Sequence, residues 1–299
     1  MNTTLILIAF IMNPGISARR NGNAVPPGAS ILAVSGDTIE VFRRDSSRTS
    51  WFLLTPVRKF YDNTESPGHV TELEYAVTHL EDSRWILSVL AGETPPFPEL
   101  GTFYIASGLP DSLNTEQLTL RDPPNLVFPE RVFQVSVRPG DTYTDYLFEL
   151  INVPFIMAPF MTPAGVHQTD SRLGCDCAAF AVYGKRRQGF DFEYLGPEGI
   201  RRYLTPISEN PLHPVEMDSV HVYLTSDGRT FQTGSNGLSR GDILHFRAQV
   251  SVFYCDEGIP GVLDSHDLVI QSWFDGPHIC RIEENGFFPL PLLPMRWKE

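Results

Sequence analysis

Proline and glycine interrupt this chain so often that long helices are excluded. Its 299 residues include 25 prolines and 23 glycines. Proline breaks a helix interior, and glycine weakens helices and strands alike. Only short elements separated by turns fit between them, so we expect a β-rich or α+β protein of about two domains.

The charge balance argues against nucleic-acid binding. The formal net charge is −13 and the isoelectric point is near 5.0, which would repel a phosphate backbone. The sequence contains no phosphate-binding glycine loop, no dinucleotide fingerprint, no zinc-protease helix motif and no calcium loop. We therefore expect no cofactor and no metal, and any chemistry must come from Cys, His and carboxylate side chains.

The N-terminus has the pattern of a secretory signal. The apolar run Leu5 to Met12 is far shorter than the roughly 20 residues that a membrane helix needs. Pro14 and a small-residue stretch ending at Ala18 follow it. We expect residues 1–18 to be a signal peptide and the product to be periplasmic or secreted, without an integral membrane segment. The alternative is that the run forms a buried first strand.

Two domains are expected after the signal. Short β-branched and aromatic runs separated by turn residues predict a β-rich accessory domain over residues 25–140. The predicted strands are Ile31 to Val34, Thr38 to Phe42, Ser50 to Leu54, Trp85 to Leu90, Thr102 to Ile105 and Val132 to Val137. Residues 141–299 begin with helical patterns and continue with hairpin-like strands, which is an α+β order.

Cys177 carries the strongest chemical signal. It follows Asp176 at the start of a predicted helix that ends with the cations Lys185, Arg186 and Arg187. The positive end of a helix dipole lowers the pKa of a thiol placed there. The alternative is that Cys177 is a small buried hydrophobe, which is the commoner role of a lone cysteine.

Three motifs in order resemble the NlpC/P60 family of papain-like cell-wall cysteine peptidases. They are Leu-Gly-Cys-Asp-Cys-Ala-Ala-Phe over 173–180, Arg-Gly-Asp-Ile-Leu-His-Phe over 240–246, and a histidine, His266, that opens a predicted strand. Asn152 to Phe155 resembles the segment that precedes the family's cysteine loop. The resemblance covers roughly residues 141–285. It implies a papain-like α+β fold, with a helix packed on an antiparallel sheet, for residues 141–299.

The resemblance also implies roles for three residues. Cys177 corresponds to the nucleophile, His266 to the general base and His278 to the residue that orients the base. Such a site cleaves an amide through a thioester, and its substrate class would be a peptidoglycan stem peptide. If a two-residue turn is centred on Asp275-Gly276, however, His266 would face Asn285 and His278 would lie on the opposite face, which makes Asn285 the substitute.

The chain departs from the family pattern elsewhere. Ala178 and Ala179 stand where the family has a serine and a small residue, and Phe155 replaces a tyrosine. The interval between Cys177 and His266 is longer than in the family's compact form. A structural zinc site is the alternative use of Cys175 and Cys177. The sequence disfavours it, because only one residue separates these two cysteines and the other candidate ligands are distant and not paired.

Two further expectations stay open at the sequence level. Cys255 and Cys280 lie in neighbouring predicted strands and could form a disulfide after export. The alternative to a hydrolase is a catalytically degenerate protein that binds cell wall or glycan. In that case a stacking surface is expected from four aromatic residues, Trp51, Tyr61, Trp85 and Phe97, and the alternative is that they are core residues of strands.

Overall fold

The computed structural model describes most of the chain. The described residues are 16–26, 29–44, 49–65, 72–81, 86–92, 100–108, 118–120, 131–162 and 165–299. The apolar run Leu5 to Met12 lies outside them. The cleavage point predicted after Ala18 falls inside the first strand, whose Ile16 and Ala18 side chains are buried.

Most of the ordered elements are short strands, as the turn-residue density requires. The strands are β1 Ile16–Arg20, β2 Asn23–Val25, β3 Ile31–Val34, β4 Thr38–Arg43, β5 Trp51–Pro56, β6 Phe60–Asp62, β7 Leu73–Glu81, β8 Ile86–Leu90, β9 Gly101–Ser107, β10 Leu118–Leu120, β11 Val132–Arg138, β12 Phe155–Met157, β13 Leu204–Pro206, β14 His213–Met217, β15 Val220–Leu224, β16 Ile243–His245, β17 Val250–Cys255, β18 Leu268–Trp273, β19 Gly276–Arg281 and β20 Leu293–Trp297. The α-helices are α1 Tyr143–Leu147, α2 Cys177–Arg187 and α3 Pro197–Ile200.

The first half of the chain builds two sheets. Their strand orders are β2-β1-β4-β8 and β10-β7-β5-β9-β11-β3. Only the β11-β3 pair in these sheets is parallel. Buried side chains from both sheets share one apolar core, which includes Ile16, Val41, Trp51 and Val135. The six strands predicted in this half are confirmed, with ends that shift by one or two residues.

The second half is centred on an antiparallel sheet. Its strand order is β13-β20-β16-β17-β18-β19. One face carries Ile243, Val252 and Ile270, which share a core with Ala178 and Val182 of α2. The opposite face carries a second apolar core that includes Leu244, Phe253 and Val269. Alternate residues of each strand therefore serve different cores, as the two-residue period of a strand requires.

The two halves are joined by strand pairing and side-chain contacts. β12 pairs in parallel with β6, so a strand from each half forms a two-stranded sheet. Ile156 and Leu173 share a core with Leu54 and Tyr104. The Asn63 side chain donates a hydrogen bond to Gln168 Oε1 at 2.8 Å. The predicted boundary near residue 141 thus lies within a continuous set of contacts.

The predicted α+β papain-like fold is wrong. Strands account for 45% and helices for 13% of the described residues, and the strands form several sheets. Among the described helices only α2 is longer than five residues. In residues 204–297 the apolar runs are short and turn residues follow them, so these runs form strands. Together the strands contain more residues than the one long helix, α2. The chain is mostly β. None of the helices in the described ranges is long and apolar enough to span a membrane.

Candidate functional site

Helix α2 begins where the sequence predicts. Asp176 is its N-cap, and the Asp176 carboxylate accepts a hydrogen bond from the Ala179 N–H at 2.7 Å. Cys177 is the first helical residue, and Lys185, Arg186 and Arg187 occupy the last turn. A carboxylate at the start and cations at the end both complement the helix dipole.

Cys177 is nevertheless poorly suited to form a thiolate. Its side chain is only 5% exposed and belongs to the core shared by α2 and the sheet. Burial raises the pKa of the Cys177 thiol well above its ordinary value, and the neighbouring Asp176 charge adds to the rise. Hydrogen bonds to backbone groups, including that of Val250, act in the opposite direction but are smaller. The desolvation of the thiolate outweighs the helix dipole that the sequence suggested as the dominant influence.

The start of α2 rests on the end of β18. Cys175 Sγ lies 3.5 Å from Ser272 Oγ, and the Ser272 hydroxyl donates a hydrogen bond to the Cys175 carbonyl at 3.1 Å. Gly174 permits the same segment to pack closely on β12, because a Cβ atom there would lie 2.4 Å from the Ile156 side chain. The cysteines are therefore fixed beside the C-terminal end of β18.

His266 lies at the other end of that strand. It comes just before β18, six residues from Ser272, which corresponds to about 20 Å of extended chain. Its Nε2 is 3.7 Å from Glu283 Oε1. The structure therefore does not bring His266 to Cys177. Cys177 begins α2 as the sequence predicts, whereas β18 begins at Leu268, two residues after His266.

His278 and Asn285 have contacts of their own. His278 on β19 pairs with Gln271, and its Nδ1 is 2.7 Å from the Gly276 carbonyl oxygen. Asn285 is buried, and its Oδ1 accepts hydrogen bonds from the N–H groups of Phe287 and Phe288. These hydrogen bonds hold the hairpin and the following loop, and among the described residues none of them joins His278 or Asn285 to His266.

Two buried polar residues of the β16-β17 hairpin have no role in the sequence prediction. His245 Nδ1 accepts the Arg247 N–H at 3.3 Å, and its Nε2 is 3.0 Å from the Pro197 carbonyl oxygen. Burial lowers the pKa of His245, which favours the neutral imidazole. Both of its ring nitrogens then take part in these hydrogen bonds. Gln249 Nε2 donates to the Ser272 carbonyl at 3.2 Å, while its Oε1 is buried without a partner. The turn residues Arg247 and Ala248 between two apolar runs were the available signal for this hairpin.

A group of aromatic side chains, two of them exposed, lies beside this region. We call it the aromatic platform, and it consists of Phe60, Phe155, Trp273, Phe274 and Phe287. Phe274 stacks on Trp273 with ring centroids 4.2 Å apart, and Phe60 meets Phe274 edge to face at 5.0 Å. Phe60 and Phe274 are 39% and 44% exposed. Apolar rings with this exposure are unusual on a protein surface, and contiguous ones often mark interaction sites.

Separate segments assemble the platform. Phe60 comes from β6, Phe155 from β12, and Phe274 from the turn between β18 and β19. Phe155 connects them, because its ring contacts Phe60, Trp273 and Phe274. The platform adjoins the cysteines through a bridge between Phe155 and Cys175. No local pattern reveals such a group, because its members are scattered along the chain.

The aromatic residues considered from the sequence do not form this surface. Trp51 and Tyr61 are buried in the cores of the first half. Trp85 and Phe97 lie outside the described residues.

The cysteines do not assemble into a bridge or a metal site. All four are free thiols, and β18 separates β17, which carries Cys255, from β19, which carries Cys280. The described part of the chain contains no group of three or more His, Cys, Asp or Glu side chains positioned to hold a metal ion.

Comparisons with known families, curated proteins and solved structures found no match. No family model matches the chain. No curated protein and no solved structure matches it either.

Proposed function

We propose that this protein is a non-catalytic binding protein whose aromatic platform binds glycan. The observation that carries the proposal is the exposure of Phe60 and Phe274 within a cluster of five rings. A sugar ring has an apolar face of C–H groups that stacks on an aromatic ring, while its hydroxyls remain free to hydrogen-bond.

The surroundings of the platform suit an uncharged polar ligand. Lys59 precedes Phe60 and Asp275 follows Phe274, and both are exposed. One is a hydrogen-bond donor and the other an acceptor, so they complement sugar hydroxyls better than a ligand of a single charge sign. The net charge of −13 disfavours nucleic acid as the stacking partner.

The surroundings of Cys177 favour binding over hydrolysis. A thiol nucleophile needs a base within hydrogen-bond reach and an environment that stabilises the thiolate. Burial raises the pKa of Cys177, His266 is paired with Glu283 at the far end of β18, and both nitrogens of His245 face backbone groups.

Sedimentation with insoluble polysaccharides tests the proposal. The intact protein is mixed with peptidoglycan, chitin or cellulose, and the bound fraction is measured. We expect retention on at least one glycan, weakened roughly 3- to 10-fold by Phe60→Ala or Phe274→Ala, since each change removes one stacking contact. Met217→Ala is the matched control, because Met217 is an equally exposed apolar side chain on β14. Absence of retention on all three glycans, or equal retention by all variants, would contradict the proposal.

Cys177 provides the test against a hydrolase. We expect Cys177→Ala to bind glycan as the parent does, and iodoacetamide at pH 7.5 to label the partly exposed Cys255 at least about tenfold faster than Cys177, because burial disfavours the thiolate. Peptide mapping by mass spectrometry measures both rates. Fragments released from peptidoglycan by the parent and not by Cys177→Ala would show that the hydrolase prediction was right.

A further inference from the structure

Arg172 is a buried cation without an anionic partner. Its side chain is 8% exposed. Nη2 donates to Gln134 Oε1 at 3.0 Å, and Nη1 lies 3.4 Å from the Asp170 carbonyl oxygen and 3.5 Å from Tyr183 Oη. All of these acceptors are neutral, and the buried Nε has no partner at all.

The carboxylates nearby are already used by other arginines. Glu149 forms ion pairs with Arg138 at 2.8 Å and with Arg187 at 3.0 Å. Asp170 pairs with Arg186 at 3.0 Å. A guanidinium does not deprotonate in proteins, and a buried charge is normally paired. Arg172 therefore makes no ion pair with a described carboxylate, and Glu149, which accepts the Tyr183 hydroxyl beside it, is already shared by two other arginines.

Arg172 lines a cleft that is large enough for a small ion. The cleft has a volume of about 360 Å³ and lies beside the C-terminal end of α2. Its lining residues are mostly charged or polar, and they are Asp170, Arg172, Tyr183, Arg186, Arg187, Gly189, Phe190 and Asp191. Three arginines thus line one opening.

We propose that this cleft binds a tetrahedral oxyanion, with Arg172 as its counter-charge. A planar guanidinium presents paired N–H donors that match two oxygens of a phosphate group. Arg186 and Arg187 add positive potential at the rim although each already has a carboxylate partner. Asp191 is exposed and lies 3.8 Å from Arg186, so it opposes the binding of an anion. The site is separate from the aromatic platform and does not depend on the glycan proposal.

Thermal denaturation and calorimetry of the intact protein test the site. The protein is transferred from a chloride buffer to phosphate, sulfate or acetate at constant ionic strength. We expect saturable binding of phosphate and sulfate that raises the melting temperature, and a weaker effect of acetate, whose planar carboxylate lacks the tetrahedral geometry. If the melting temperature is the same in all four anions at this constant ionic strength, the proposal is overturned.

Two variants with opposite expectations locate the site. Arg172→Gln should weaken phosphate binding about tenfold or more, since it removes a charge-assisted hydrogen bond, and should not lower the melting temperature in chloride, since it removes an unpaired buried charge. Asp191→Asn should strengthen phosphate binding, and this exposed change leaves the fold intact even if Arg172→Gln prevents folding. Arg202→Gln, at an exposed ion pair with Glu193, is the control. Unchanged binding by Asp191→Asn, or full binding by Arg172→Gln, would contradict the assignment.

Discussion

At the residue scale, Asp267 shows how burial changes a carboxylate. Its side chain accepts hydrogen bonds from the N–H groups of Glu257 and Asp264 at 3.0 Å and of Gly258 at 3.3 Å. Burial raises the pKa of Asp267 to about 7, against the lowering effect of these donors. The residue closes the loop between β17 and β18, so its protonation state affects the stability of that loop.

The raised pKa of Asp267 predicts that stability falls between pH 4 and pH 7. In this range the folded protein holds the Asp267 proton more tightly than the unfolded chain, whose pKa is near 3.8, so raising the pH favours unfolding. Urea denaturation at pH 4.5 and 7.5 measures the change. We expect Asp267→Asn to lose less stability than the parent over this interval, whereas Asp227→Asn, an exposed control, should follow the parent. Equal losses in Asp267→Asn and the parent would contradict the prediction.

At the scale of single elements, the N-cap of α2 contributes to the placement of the cysteines. Asp176 holds the Ala179 N–H, and burial raises the pKa of Asp176 to about 6, so the carboxylate is largely ionised at neutral pH. An ionised cap satisfies a backbone donor and complements the helix dipole.

Replacing the cap should destabilise the protein measurably. Asp176→Ala removes the acceptor and is expected to lower the free energy of unfolding by about 1 kcal/mol, in the usual range for a lost N-cap. Asp176→Ser keeps a hydroxyl acceptor and should lie between Asp176→Ala and the parent. Urea denaturation at pH 7.5 compares the three proteins. If Asp176→Ala is as stable as the parent, the cap has no role in stability.

In the hairpin of β18 and β19, the position of the turn differs from the one that the sequence predicts. The pair Asp275-Gly276 suggested a turn centred on those residues, yet Trp273 pairs with Gly276 and the turn is Phe274-Asp275. Gly276 instead has a φ of 81°, and a Cβ atom there would lie 2.8 Å from the Val153 carbonyl oxygen. The glycine is required by packing against another segment and by a left-handed backbone after the turn. The register that follows directs His266 toward Glu283 and not toward Asn285.

At the scale of the whole molecule, Glu149 links the two halves. It lies in the 3₁₀ turn Phe148–Leu150 and is fully buried. It binds Arg138 from β11 of the first half and Arg187 from α2 of the second, and the Tyr183 hydroxyl donates to it as well. One carboxylate therefore neutralises charges from both halves.

Removing that charge should cost far more than removing a surface charge. Glu149→Gln removes the carboxylate that pairs with Arg187 and leaves Arg138 with Asp141 as its remaining partner, and it is expected to lower the free energy of unfolding by about 3–5 kcal/mol. Glu198→Gln, which breaks an exposed pair with Arg201, should cost less than about 1 kcal/mol. Chemical denaturation at pH 7 measures both. Similar costs for the two variants would show that the Glu149 network does not stabilise the contact between halves.

The local features of this protein can be predicted from the sequence. Proline and glycine limited the strands to short lengths, apolar runs located six of the described strands of the first half, and Asp176 with the three cations marked both ends of α2. These features depend on residues a few positions apart, so a linear pattern contains them.

Which side chains meet depends on the packing of strands that are far apart in the chain. Strand order and register place Cys177 beside the end of β18 and His266 at its start, bury the thiol, and gather Phe60, Phe155 and Phe274 from distant segments into one surface. The balance between helix dipole and burial at Cys177 was likewise invisible in the sequence, because desolvation depends on everything packed around the sulfur. Contacts between residues far apart in the chain are set by the packing of whole sheets, and no local pattern encodes them.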